Sequence, residues 1–93
     1  MNTRNMNTDQ RRDHVRRALR EIVADVFDLR NVEDITDATR FREDMGADSL
    51  DYIELIMECE DGFEMDIDDM ALEVEKIITF GEAADYLTAK LGE

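Results

Sequence analysis

No proline interrupts this chain, and glycine occupies only four of its 93 positions. Folds rich in tight turns draw on both residues. Their scarcity therefore argues against an all-β architecture and for helices joined by polar connections. The single cysteine, Cys59, excludes an internal disulfide and a multi-cysteine zinc site, and fits a reducing, cytoplasmic setting. The first residues lack the apolar run of a secretion signal, and no segment approaches the ~20 apolar residues that cross a bilayer. A chain of 93 residues forms one domain that buries about 60–65% of its unfolded surface. Serine is the scarcest informative residue, with one copy, Ser49.

Acid is abundant. The net charge is −14 and unevenly spread: residues 1–42 hold nine basic and eight acidic side chains, and residues 43–93 hold two basic and seventeen acidic ones. A field of that sign repels phosphate backbones, so nucleic acid and anionic membranes are poor partners, whereas proteins with basic patches are attracted. The plain alternative is that acidic helices keep a small monomer soluble.

Periodicity defines the helices. Residues 1–8 are polar and aperiodic and read as a disordered tail, which leaves a domain over residues 9–91. Asp9 is a suitable cap for a first helix. Its apolar face runs through Val15, Ala18, Leu19, Ile22, Val23, Val26 and Phe27, and its other side carries Arg11, Arg12, Arg16, Arg17 and Arg20. That basic side reads either as a solvated face offsetting the acids or as a partner contact. Residues 28–46 form a long connection in which Val32, Ile35, Phe41 and Met45 are spaced irregularly, as in a loop pinned to a core.

Asp48 begins a second helix, with Ser49 at its first position and Asp51 at its third, an approximation to a capping box. This helix has more apolar positions than one face buries. Leu55, Ile56 and Cys59 form an inward stripe, while Leu50, Ile53 and Met57 form another turned away from it, the pattern of a contact surface. Asp61 and Gly62 are expected to end it. Phe63, Met65 and Ile67 alternate with acids, but no partner strand is evident, so they read as an anchored extended segment. Asp68 or Asp69 caps a short third helix to about Glu75. Thr79 and Glu82 then open a final helix that buries Phe80, Ala83, Ala84, Leu87 and Leu91 and stops at Gly92. The expected fold is all-α: a small four-helix bundle, three main helices plus one short helix, with a long loop between the first and second helices.

Ser49 admits three roles. As a nucleophile it needs a base and an oxyanion site. The only histidine, His14, lies among the first helix's arginines, and no G-x-S-x-G elbow surrounds the serine. As a mere helix-start residue it leaves the neighbouring apolar stripe and acids without an account. As an attachment point it presents a hydroxyl outside the helix, where the amide dipoles favour a bound phosphate by about 0.3–1 kcal/mol. Asp48 and Asp51 would repel that phosphate and favour outward conformers.

The stretch "DMGADSLDYIELIMECEDGF" resembles the attachment segment of acyl carrier proteins, and the likeness continues through "DIDD" and "EKIITFGEAADYL", covering about Asp9 to Leu91. The resemblance implies phosphopantetheine on Ser49, transferred from coenzyme A by a phosphopantetheinyl transferase of the holo-acyl carrier protein synthase type. It implies a non-catalytic carrier of acyl thioesters for fatty-acid or related lipid and secondary-metabolite synthesis. Acyl-loading and acyl-processing enzymes with basic patches would meet Asp48, Asp51 and Glu54, extended by Glu60 and Asp61, around an apolar centre of Leu50, Ile53 and Met57. Val15, Ile22, Phe41, Leu55, Ile56, Cys59, Phe63, Ile67, Ile77 and Tyr86 are the matching candidates for a core that shelters the acyl chain. The departures point to a specialised carrier. The segment between Ile67 and Ile77 is about two residues longer than in housekeeping members and lacks their usual proline. Glu58 stands where a small residue is common, Cys59 replaces a larger aliphatic, and the first helix is rich in arginine.

Two other classes remain beside it, besides a peptidyl or polyketide carrier of the same fold. A calcium-binding loop starting at Asp66 has Met70 at the third ligand position and Ala71 where the sharp turn needs glycine, so no specific metal site is expected. An unmodified interaction domain would use Leu50, Ile53 and Met57 alone.

Overall fold

Asn7 opens the first helix. Its Oδ1 accepts the Gln10 N–H at 2.8 Å, while the Gln10 side chain accepts the Asn7 N–H at 3.0 Å. This reciprocal cap in the computed structural model, which describes residues 7–67 and 77–92, starts α1 at Thr8–Phe27. The expected cap, Asp9, instead lies in the first turn, where its carboxylate complements the helix dipole. The next helices are α2, Ser49–Phe63, and α3, Phe80–Leu91. All three are α-helices, and the described residues contain no strand. The short helix expected from Asp68 or Asp69 to Glu75, the longer segment before Ile77, and all but Asp66 and Ile67 of the calcium-loop comparison lie outside the described residues.

α1 packs against both other helices. Its Val15, Leu19 and Val23 are fully buried and meet Leu55, Cys59, Phe80, Ala83, Ala84 and Leu87 in one core. Ala18, Ile22, Val26 and Phe27 flank that core, half-buried. Leu91, expected inside α3's buried face, is only half-buried because it closes the helix end.

α2 runs past the expected stop at Asp61 and Gly62 to Phe63. Gly62 does not end the helix; it faces α1, and a Cβ there would sit a tight 3.1 Å from Ile22 Cδ1. The stop falls at Glu64, which adopts the left-handed conformation (φ 52°) while the Met65 N–H closes onto the Glu60 carbonyl at 3.1 Å. α1 ends the same way, with Asp28 at φ 54° and the Leu29 N–H on the Ala24 carbonyl at 2.8 Å.

The long connection is pinned, as its irregular apolar spacing predicts. A single 3-10 turn, Val32–Asp34, lies within it, and Ile35, Phe41 and Ala47 are buried. Its backbone pairs with the residues before α3. The Phe41 N–H donates to the Ile78 carbonyl at 3.0 Å, the Phe80 N–H to Thr39 at 2.8 Å, and the Gly81 N–H to Asp37 at 3.0 Å. Thr79 caps α3 by accepting the Glu82 N–H at 3.2 Å. Glu82 answers the Thr79 hydroxyl rather than its backbone N–H, so the expected box is closed on one side only.

Three of the five α1 arginines, Arg11, Arg16 and Arg20, are half-buried, and neither a solvated face nor a partner contact accounts for the two that reach the connection. Arg16 donates to Asp37 and to Asp85 at 3.0 Å each, tying α1 to the connection and to α3. Arg20 donates to the Ile35 carbonyl at 3.1 Å and lies 5.4 Å from the Phe80 ring centroid. The Arg16 hydrogen bond holds the Asp37 carboxyl below its usual range. A depressed folded-state pKa means that this stabilisation is present above the unfolded value, near 3.8, and is lost as pH falls through the folded one. Because Asp37 and Asp85 are more than half exposed, solvent screening keeps the contribution of the pairs small. Arg16→Met is expected to lower stability by about 1 kcal/mol at neutral pH, where the pairs are charged. The gap between the variant's melting temperature and the wild type's should narrow once the pH drops below the carboxylate range. An equal gap at all pH values would contradict it.

Candidate functional site

The start of α2 is built by its own sequence. Asp48 caps the helix, its Oδ1 accepting the Asp51 N–H at 3.0 Å while Asp51 Oδ2 accepts the Asp48 N–H at 3.0 Å. Both acids are thereby fixed beside Ser49, which takes the first helical position. Ser49 is exposed, and its hydroxyl makes no hydrogen bond among the described residues. Gly46, with φ 70°, supplies the left-handed bend that brings the chain into the cap. Ala47 then plugs into the core, its N–H donating to the Phe41 carbonyl at 2.9 Å.

Beyond the cap, the helix separates its two stripes as the spacing predicts. Leu55, Ile56 and Cys59 are buried, whereas Leu50, Ile53 and Met57 are 70%, 53% and 62% exposed. A small domain leaves such a row uncovered only at an energetic cost, because burying each side chain would contribute about 1.5–3 kcal/mol. Asp48, Glu54 and Asp61 are exposed around this row, and Asp51 is half-exposed. Glu60 is half-buried, and its carboxylate accepts the Ile67 N–H at 3.4 Å, so it is partly committed to the fold. A groove of about 340 Å³ between α1 and α2, lined by Asp25, Val26, Glu54, Met57 and Glu58, continues the acidic, apolar-floored surface past Met57.

Beneath the surface, the residues considered for a sheltering core divide in two. Val15, Phe41, Leu55, Ile56, Cys59, Phe63, Ile67 and Ile77 are buried together, while Ile22 and Tyr86 lie half-buried against them. Burial, reinforced by the Glu58 carboxylate, pushes the Cys59 thiol up to about 12, so it stays protonated and acts as a small apolar side chain. His14 meets the ring of Phe63, at the end of α2 opposite Ser49, edge-on at 6.2 Å.

Two residues around the start of α2 escaped the sequence reading: Tyr52, within its first turns, and Arg42, which packs on Tyr52. Tyr52 is buried and packs edge-on against Phe41, ring centroids 6.0 Å apart. Its place three residues before Leu55 and four before Ile56 extends the inward stripe, a signal present in the sequence. Arg42 lies over the same ring, 5.4 Å from its centroid, and no local pattern foretells that contact.

The arrangement is an accessible hydroxyl, unpartnered among the described residues, at a capped helix start beside an exposed apolar row ringed by acids. The nearest carboxylates, Asp48 and Asp51, are each engaged by the other's backbone N–H. A family model described as the phosphopantetheine attachment site matches residues 17–87 of the chain.

Proposed function

Because this chain belongs to the phosphopantetheine attachment family, whose members are non-catalytic carriers bearing that group covalently on a serine, we propose that Ser49 is the attachment point and that the cargo is an acyl group. The single observation that carries this reading is the placement of the chain's only serine, exposed at the first position of α2 with its hydroxyl unengaged among the described residues. The residues fit the group. The hydroxyl faces solvent, the helix N-terminus favours a phosphate, and the acids on both sides direct the arm outward. When bound, the arm supplies a terminal thiol that holds acyl intermediates as thioesters.

The protein's own side chains supply presentation. Leu50, Ile53 and Met57 form a surface that a partner buries, and Asp48, Asp51, Glu54 and Asp61 attract partners with basic patches, with Glu60 contributing at the edge. A transferase that modifies Ser49 and the enzymes that load and process the acyl group would use this same face. Fatty-acid and related lipid or secondary-metabolite synthesis is the favoured setting, given the "GADSLD" context. A peptidyl or polyketide carrier differs only in its loading enzyme.

Coexpression with a phosphopantetheinyl transferase, followed by intact-mass measurement, tests the reading. The wild type is expected to gain one phosphopantetheinyl mass and Ser49→Ala none. An unmodified wild type, or an equal gain in Ser49→Ala, would refute it. An interaction domain independent of Ser49 would instead lose partner binding in Leu50→Ala and keep it in Ser49→Ala, with no mass gain in any form.

A further inference from the structure

Joining a phosphodiester to Ser49 places a permanent negative charge between two carboxylates that cannot turn away. Asp48 and Asp51 are each held at 3.0 Å by the other's backbone N–H. The chain carries −14 overall, so the surrounding field adds to the repulsion. A cation beside the first turn of α2 would offset it, and the arginines differ in availability. Arg40 is taken by Glu43 and Asp44, and Arg16 by Asp37 and Asp85. Arg42 has no carboxylate partner among the described residues, and its side chain is exposed.

Its position is nonetheless fixed. Phe41, fully buried, anchors the preceding residue, and the Arg42 carbonyl accepts the Gly46 N–H at 3.0 Å. The guanidinium lies 5.4 Å from the centroid of the Tyr52 ring. Tyr52 follows Ser49 by three positions, so the two share a side of α2. Helical side chains lean toward the N-terminus, which sets the Tyr52 ring, and the cation over it, alongside the first turn. A guanidinium offers paired donors that match the two free oxygens of a phosphodiester.

Resting on the assignment of the arm to Ser49, we propose that Arg42 is a positioning residue that pairs with the phosphodiester of the attached group and draws the base of the arm toward the Tyr52 side of α2. Arg42 thereby sets the direction in which the arm leaves the helix, against the outward push of Asp48 and Asp51.

NMR on apo and holo protein tests this, with intact mass confirming conversion. In the wild type, the Arg42 Nε–H is expected to shift on modification and to exchange with solvent roughly two- to fivefold more slowly, the factor an exposed charge pair supplies. The phosphorus resonance of holo Arg42→Gln should move away from the wild-type position toward that of the unfolded holo protein. Arg17→Gln, an exposed arginine on α1, should leave it in place. A missing mass gain would overturn the Ser49 assignment and this proposal together. With the mass gain present, an identical phosphorus resonance in wild type and Arg42→Gln, or an equal displacement in Arg17→Gln, would overturn the role of Arg42 alone.

Discussion

Phe41→Ala is expected to lower stability by about 3–5 kcal/mol, the usual cost of truncating a buried aromatic. Domains of this kind hold only about 5–15 kcal/mol in total, so the variant should lose a large share of its stability. Phe41 is fully buried, packs edge-on against Tyr52, and carries two backbone bonds, its N–H to Ile78 and its carbonyl from Ala47. Losing the ring removes the anchor that holds the connection under the start of α2, so the attachment region should loosen with it. Denaturant unfolding followed by circular dichroism gives the midpoint, and Phe41→Leu, which keeps most of the volume, should cost less than half as much. A Phe41→Ala midpoint within experimental error of the wild type would show that the connection is not anchored there.

Gly81→Ala should also destabilise, by about 1–3 kcal/mol, through steric overlap in a packed region. The sign is the informative part. Alanine is the better helix former by about 1 kcal/mol, so propensity alone foretells a gain. Gly81 lies in the first turn of α3, buried, where an added Cβ would meet the Asp37 carbonyl at 2.9 Å and the Asp37 Cβ at 3.0 Å. The first of these is backbone and cannot swing aside. Relief requires the connection to withdraw, which breaks the Gly81 to Asp37 bond and strains the Phe80 to Thr39 bond beside it. A melting temperature raised by Gly81→Ala would mean that α3 and the connection are not in this close contact.

These two positions show what was legible in advance. Phe41 stood out as an apolar residue in a polar stretch, and a loop pinned through it followed directly. Gly81 carried no signal, because its constraint comes from Asp37, far away in the chain. The candidate site was legible to an unusual degree. The cap at Asp48, the place of Ser49 and the opposed stripes of α2 all follow from spacings of three and four residues. The end of α2 was not, since the helix runs through Gly62 and the left-handed turn falls on Glu64. Glu60 looked like one more surface acid, yet its carboxylate turns to the Ile67 N–H.

The sequence by itself determined where α2 and α3 begin, which face of α2 is apolar without being needed inside, and that one hydroxyl is presented there. Each of these depends on atoms within about one helical turn, whose geometry any helix supplies. The tertiary structure alone decided which arginines of α1 are bound inward, why Gly81 is glycine, and that Arg42 rests on Tyr52. The partners of Arg16 lie 21 and 69 residues away along the chain. Contacts over such separations depend on how whole elements pack, a matter of shape and volume that no local pattern of residues encodes.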